Sequence, residues 1–191
     1  MIGIIFGPPG SGKGTQAAKI EEEFGLKHLS TGDILRHEVA SGTAVGKEAA
    51  RIMAAGDLVP DELIVDIVRR RLPDAEAGAG VLLDGFPRTL AQAQALDRML
   101  ADEGHRVDFV IALDVPEKDL VDRILHRAQV EGRADDTRKA ITERMHEYHK
   151  LTEAVLDHYR AQRVPVEMVE GVGSPDQVFE RIRRAIGISS R

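Results

Sequence analysis

Ile2-Gly3-Ile4-Ile5-Phe6-Gly7-Pro8-Pro9-Gly10-Ser11-Gly12-Lys13-Gly14-Thr15 opens the chain with its strongest structural signal. Ile2, Ile4, Ile5 and Phe6 read as a short buried strand, and Gln16 to Phe24 carries a helical pattern. Between them lies a glycine-rich turn that ends in a lysine. A strand, such a turn and a helix N-terminus make a phosphate cradle. Glycine recurs because the backbone must curl around an anion, and a β-carbon would block the approach. The first amides of the helix have no intrahelical partner and point at the anion. Lys13 adds a mobile positive charge for β- and γ-phosphates. In the usual pattern Ser or Thr directly follows the lysine; here Gly14 holds that place and Thr15 comes next. The competing reading is a plain turn between strand and helix. The full pattern, set directly after an apolar strand, favours the cradle and makes a nucleotide the first hypothesis. It names no reaction, because ATPases, GTPases and kinases share it.

Working outward, short apolar runs alternate with helical patterns. The strand candidates are Ile2 to Phe6, Lys27 to Leu29, Val81 to Asp84, Phe109 to Asp114 and Val166 to Val169. The helical stretches are Lys13 to Phe24, Asp33 to Ala40, Val45 to Ala55, Asp61 to Leu72, Leu90 to Glu103, Glu117 to Gln129, Thr137 to Gln162 and Pro175 to Ile186. Such alternation implies an α/β fold, a parallel sheet covered on both faces. Two segments read as excursions from it: residues 30–59, two short helices with no strand, and residues 127–137, polar and bracketed by arginine. Ligands of such sheets bind beyond the carboxyl ends of the strands. Four loops are therefore expected at one edge: the cradle, the run from Ser30 to Arg36, the run from Asp84 to Thr89, and Glu170 to Ser174.

Composition sets bounds on partners and chemistry. A chain of 191 residues suffices for one domain with a sizeable core. The net charge of −6 gives no global field favouring nucleic acid or an anionic membrane. The absence of cysteine excludes disulfides, thiolate zinc sites and cysteine nucleophiles. No apolar run approaches the ~20 residues of a transmembrane helix. Met1 leads straight into the first strand without a basic leader, so a cytoplasmic location is expected. The seven histidines show no metal-ligand grouping and are expected at surface or core positions.

Arg36, Arg88, Arg123, Arg127, Arg133 and Arg144 lie in or near the expected loop edge or the second excursion. A lone helical arginine is usually a solvated surface residue. Several of them beside a phosphate cradle suit a polyphosphate held in line for transfer, a reaction that needs positioning and charge neutralisation more than covalent chemistry.

With these residues the chain resembles the adenylate kinases, in their short-lid form, along essentially its whole length. The motifs are Gly7 to Gln16 with its Gly14-Thr15 step, Ser30-Thr31-Gly32-Asp33, Asp84-Gly85-Phe86-Pro87-Arg88-Thr89 and Gly132-Arg133-Ala134-Asp135-Asp136. The resemblance implies a P-loop three-layer α/β/α fold with a five-stranded parallel sheet. It divides the chain into a core (1–29, 60–126 and 138–191), an acceptor-binding subdomain (30–59) and a short lid (127–137). It implies the reversible conversion of ATP and AMP to two ADP, with Mg²⁺, by a cytoplasmic monomer that binds neither nucleic acid nor membrane.

The resemblance also assigns residues. Gly10, Ser11, Gly12, Lys13, Gly14 and Thr15 hold the ATP phosphates, with Lys13 following the transferred group. Thr31, Arg36, the backbone of Asp57-Leu58-Val59, and Gly85, Phe86, Pro87, Arg88 and Gln92 make the AMP site. Arg88 clamps the α-phosphate bidentately, which lysine could not copy, and the Gln92 amide is able to read the adenine edge. Asp84 holds waters of Mg²⁺, which keeps its hydration shell and favours hard oxygen ligands. Arg123 and Arg127 match donor-side arginines. Arg133 and Arg144 match arginines bridging both nucleotides' phosphates. Asp135 and Asp136 match acids tethering a closed lid, although an N-cap and first-turn pair would also explain acids there. Val172 and Gly173 fall where the donor adenine meets backbone. Only five residues separate Arg127 from Arg133, so the lid is short. Without cysteine it cannot be a zinc lid, and it is expected to close over ATP and exclude water.

The nearest rival is a UMP/CMP kinase. Those relatives commonly carry Ala where Thr31 stands and Asn where Thr89 stands, so Thr31 and Thr89 favour AMP. A regulatory GTPase needs an Asn-Lys guanine motif, and this chain has no Asn. A binding module without catalysis would not need the arginines and the acceptor-side motif.

Overall fold

Each strand candidate becomes a strand: β1 (Ile2–Phe6), β2 (Lys27–Ser30), β3 (Val81–Asp84), β4 (Phe109–Asp114) and β5 (Val166–Glu170). The helices between them are α1 (Lys13–Phe24), α2 (Thr31–Ala40), α3 (Ala44–Ala55), α4 (Asp61–Glu76), α5 (Leu90–Asp102), α6 (Arg138–Ala161) and α7 (Pro175–Ser189). Residues 117–121 and 123–124 are also helical. The structure is a computed structural model that describes residues 1–55, 57–76, 78–121, 123–124 and 138–189. The expected lid at 127–137, and the expected helix beyond residue 124, lie outside the described residues.

The strands form one sheet in the order β2-β3-β1-β4-β5, and every neighbouring pair is parallel. The chain leaves β1 for one edge, returns through β2 and β3, and then crosses β1 to reach β4 and β5. The strand order therefore reverses beside β1, where a ligand crevice opens in sheets of this kind. Register brings the carboxyl ends level: Ile5 and Ser30 both pair with Asp84, Phe6 with Ala112 and Asp114 with Glu170.

Strand alternation divides the core in two. Ile4, Leu83 and Val110 face a cluster with Val68 of α4, Leu96 of α5 and Tyr159 of α6. Ile5, Leu82 and Ile111 face the other way, onto Ile20 of α1 and Ile182 of α7. These side chains are almost wholly withdrawn from water, each worth about 1.5–3 kcal/mol. Two buried faces explain why the three central strands β1, β3 and β4 read as apolar runs, whereas the edge strands β2 and β5 keep polar residues such as Lys27, His28, Glu167 and Glu170. This is the expected three-layer α/β/α architecture with five parallel strands.

The element ends differ from the sequence reading in small ways. α2 starts at Thr31, two residues early, because the Ser30 hydroxyl caps it and accepts from the Asp33 amide at 3.3 Å. α4 runs past Leu72 to Glu76. Among the described residues no helix is long and apolar enough to cross a membrane.

Candidate active site

The turn after β1 wraps tightly. Ser11 N donates to Pro8 O at 3.1 Å. Gly10 and Gly12 take φ of +79° and +90°, which a side-chain-bearing residue rarely adopts. Gly12 is also the N-cap of α1 and supplies no side-chain cap, so the first α1 amides have no partner from that residue and face the loop. Lys13 Nζ donates to Gly7 O at 2.7 Å and to Pro8 O at 3.1 Å, which holds the ammonium over the turn.

Beside the cradle, β3 ends in Asp84, a buried carboxylate. Its Oδ2 lies 3.2 Å from His28 Nε2 on β2, and its carbonyl accepts from Thr31 Oγ1 at 3.4 Å. Burial pushes the Asp84 carboxyl toward its neutral form. The His28 hydrogen bond and the charges of Lys13, His28 and Arg88 outweigh that and hold it below the usual carboxylate value. Burial likewise disfavours imidazolium at His28, but Asp84, with smaller help from Asp33 and Glu21, raises its proton affinity above the ordinary value. The sequence reading expects the histidines at surface or core positions; His28 is mostly buried, and its ring pairs with Asp84. Nothing in the local sequence pairs positions 28 and 84, because the contact depends on β2 lying beside β3.

Arg88 follows in the loop after β3. Its Nε donates to Gly85 O at 2.9 Å, which fixes the plane of the guanidinium. The group is exposed to the water of the cavity and closely surrounded by protein. That crowding is the main cause of its lowered proton affinity; Asp84 opposes it, and the Arg144 and Arg36 cations add to it. Arginine stays charged under such a shift. Arg36 is paired with Asp33 one helical turn earlier. Gln92, buried on α5, accepts from Arg88 N at 2.7 Å through Oε1 and donates to Asp61 Oδ1 at 2.7 Å through Nε2.

Apart from His28 and Asp61, these groups line one cavity of about 930 Å³, near the top of the ~300–1,000 Å³ typical of small-molecule sites. Its wall brings together Gly10 to Thr15, Thr31, Arg36, Asp57, Leu58, Val59, Asp84, Gly85, Pro87, Arg88, Gln92, Arg123, Arg144 and Gly173. Two expected residues stand apart. Phe86 packs into the core beneath the site. Val172 is not part of the wall, and its carbonyl accepts from Arg181 Nη1 at 2.7 Å. Arg127, Arg133, Asp135 and Asp136 lie outside the described residues. Among the described residues no three histidine, aspartate or glutamate side chains gather to hold a metal ion. One buried anionic carboxylate beside the cradle fits a divalent cation carried chiefly by phosphate oxygens and water.

A phosphate cradle at the turning point of a parallel sheet, sharing a cavity with converging arginines, defines a P-loop nucleotide phosphotransferase. The sequence model of the family described as Adenylate kinase matches residues 5–164. The chain is 50% identical over 185 residues to an adenylate kinase of Thermus thermophilus, covering 97% of this chain and 96% of that one. It is 48% identical over 183 residues to the adenylate kinase of Micrococcus luteus, covering 96% and 89%. It is 47% identical over 184 residues to that of Xanthomonas campestris pv. campestris, covering 96% and 98%. The chain belongs to the adenylate kinase family, the ATP:AMP phosphotransferases among the nucleoside monophosphate kinases.

Proposed function

We propose that this enzyme transfers the γ-phosphoryl group of ATP to AMP, reversibly, and releases two ADP. The observation that carries the reading is one cavity whose wall joins the cradle and Lys13 to Arg36, Arg88 and Gln92. An oxygen of the AMP α-phosphate attacks the γ-phosphorus in line. The bond from that phosphorus to the β–γ bridging oxygen breaks, and the β-phosphate leaves with its electron pair. The attacking phosphate oxygen is already anionic, so no general base is required.

Catalysis in this reading is positioning and charge neutralisation. The cradle amides and Lys13 hold the donor phosphates. Arg88 holds the acceptor phosphate; of the two further arginines on the cavity wall, Arg123 is assigned to the donor side and Arg144 to the junction of the two phosphates. Arg133 is assigned to the same junction and Arg127 to the donor. Asp84 would hold the waters of a Mg²⁺ ion accompanying ATP, and that ion would supply neutralisation of phosphate charge. Residues 30–59 act as the acceptor-binding unit. Residues 127–137 act as a short lid, with Asp135 and Asp136 as its tethers, that keeps water from accepting the phosphoryl group. The enzyme works as a cytoplasmic monomer.

A coupled ADP-formation assay across AMP, UMP and CMP tests the reading. The expected outcome is a kcat/KM for AMP at least ~100-fold above the pyrimidine nucleotides. Turnover mainly with UMP would overturn the choice of acceptor.

A further inference from the structure

Behind the acceptor wall lies a side-chain network that the reaction itself does not use. Asp61 opens α4, directly after the Asp57–Val59 wall, and does not line the cavity. Its Oδ1 accepts from Gln92 Nε2 at 2.7 Å, and its Oδ2 accepts from Thr89 Oγ1 at 2.8 Å. Thr89 in turn accepts from Gln92 N at 3.1 Å and caps α5. On its other side Gln92 Oε1 accepts from Arg88 N at 2.7 Å.

These partners leave the Gln92 amide one orientation. A carboxylate only accepts and a backbone amide only donates. Rotating the amide by half a turn would set Oε1 against Asp61 and Nε2 against the Arg88 N–H, an acceptor–acceptor and a donor–donor contact at once. In the observed orientation Gln92 retains one N–H and one carbonyl lone pair for a ligand. That pair matches a base edge with an exocyclic amine beside a ring-nitrogen lone pair, as in adenine. A base with a carbonyl beside a ring N–H, as in hypoxanthine, presents the reverse and would need the rotated amide.

We propose that Asp61 is a positioning residue for acceptor-base selection, locking the Gln92 amide so that it accepts AMP and rejects 6-oxopurine nucleotides. The proposal rests on the acceptor-site reading above and adds the device that gives that site its direction. It also explains a buried carboxamide tied across 31 residues of sequence to the start of another helix: Asp61 fixes the gap between the two walls as well as the sense of the amide.

The test compares kcat/KM for AMP and for IMP, with ATP as donor, in the wild type and in Asp61→Asn, Asp61→Glu, Gln92→Ala and the double variant Asp61→Asn/Gln92→Ala. Both nucleotides are measured on the same preparation, so the ratio is independent of the fraction folded. The carboxamide introduced by Asp61→Asn offers an N–H as well as a carbonyl, so one of the two clashes of the rotated Gln92 is lifted and only that against the Arg88 N–H remains. The AMP:IMP ratio of Asp61→Asn is expected to fall about tenfold or more, mainly through KM for the acceptor, with KM for ATP unmoved. Asp61→Glu, acceptor-only but longer, keeps the ratio closer to wild type than the isosteric Asp61→Asn does, the opposite of what packing alone would give. In the Gln92→Ala background Asp61→Asn has no further effect on the ratio. If Gln92→Ala collapses the ratio and Asp61→Asn leaves it intact, or if the two effects simply multiply, the positioning role is wrong and the acceptor site stands. If Gln92→Ala itself leaves the ratio intact, the acceptor-base reading fails and this proposal fails with it.

Discussion

Arg88 shows how much one side chain is asked to do. Its Nε is spent on Gly85 O, so its terminal nitrogens remain for an acceptor phosphate as a planar fork. A lysine would keep the charge and lose both the fork and the backbone anchor. Arg88→Lys is therefore expected to raise KM for AMP about tenfold or more and to lower kcat by about 10²-fold, with far-UV circular dichroism unchanged. Near-normal turnover in steady-state assays would contradict the assigned role. The His28–Asp84 contact makes a different prediction, about stability and pH. Asp84 has a lowered native value, so its share of the tie is present above the ordinary 3.8 and is lost as pH falls through that lowered value. His28 has a raised native value, so its share is complete below the ordinary 6.5 and is lost as pH rises through that raised value. The charged pair thus acts in the acidic window between them. His28→Gln keeps a neutral donor and removes the charge. It is expected to cost ~0.5–1 kcal/mol near pH 5, after allowance for solvent screening, and to match the wild type near pH 9. Urea unfolding without nucleotide at the two pH values measures this, and a gap wider at pH 9 has the wrong sign.

At the scale of elements, α2 and α3 form a hairpin whose closeness depends on Gly46. A β-carbon there would sit 2.0 Å from the Glu38 carbonyl oxygen on α2. The joint is tied by Thr43, whose hydroxyl donates to Glu38 Oε2 at 2.7 Å and accepts from Gly46 N at 3.0 Å. Gly46→Ala must push the two helices apart, an overpacking cost of ~1–3 kcal/mol. Because the hairpin carries Thr31 and Arg36, the variant is expected to raise KM for AMP several-fold and leave KM for ATP nearly unchanged. Hydrogen exchange should quicken in residues 31–55 but not in α1 or β1; uniform loss of protection would contradict a local effect. The same elements show which features were legible in the sequence. The central strands could be read because both sheet faces are covered there, leaving apolar runs such as Val81–Asp84. The cradle and Arg88 stand in contiguous motifs, and Gln92, three residues beyond one of them, follows from the family resemblance; all three line the cavity. The strand order could not be read, since parallel pairing joins residues as distant as Lys27 and Val81. His28 and Asp61 escaped for the same reason: their partners Asp84 and Gln92 lie 56 and 31 residues away. The early start of α2 escaped because Ser30 ends β2 and caps α2 at once.

For the whole molecule the governing fact is a field. The chain carries a net charge of −6, yet Lys13, Arg36, Arg88, Arg123 and Arg144 all line one cavity. Cations gathered in a low-dielectric cleft focus potential on anions while the outer surface repels them. Two nucleotides that meet by their phosphates match that arrangement, and neither half alone engages all of it. A ligand joining two adenosines through a phosphate chain should therefore gain over its separate halves, because the second half binds at the effective concentration set by the link. Binding to the folded state alone raises stability by RT ln(1 + [L]/Kd), about 4 kcal/mol at ~1,000 times Kd. For a chain of this size that is a rise of roughly 8–16 °C in Tm. The expected result is a shift of this size with the joined ligand at ~10 µM, exceeding that from ATP and AMP together at the same concentration. The advantage should shrink in Arg88→Ala and Arg123→Ala, and should fall as salt is raised toward 1 M. Differential scanning fluorimetry across ligand and salt concentration measures all three. If the joined ligand shifted Tm no further than ADP does, with no loss in the arginine variants, the two halves would not be meeting inside this cavity and the end-to-end arrangement would have to be abandoned.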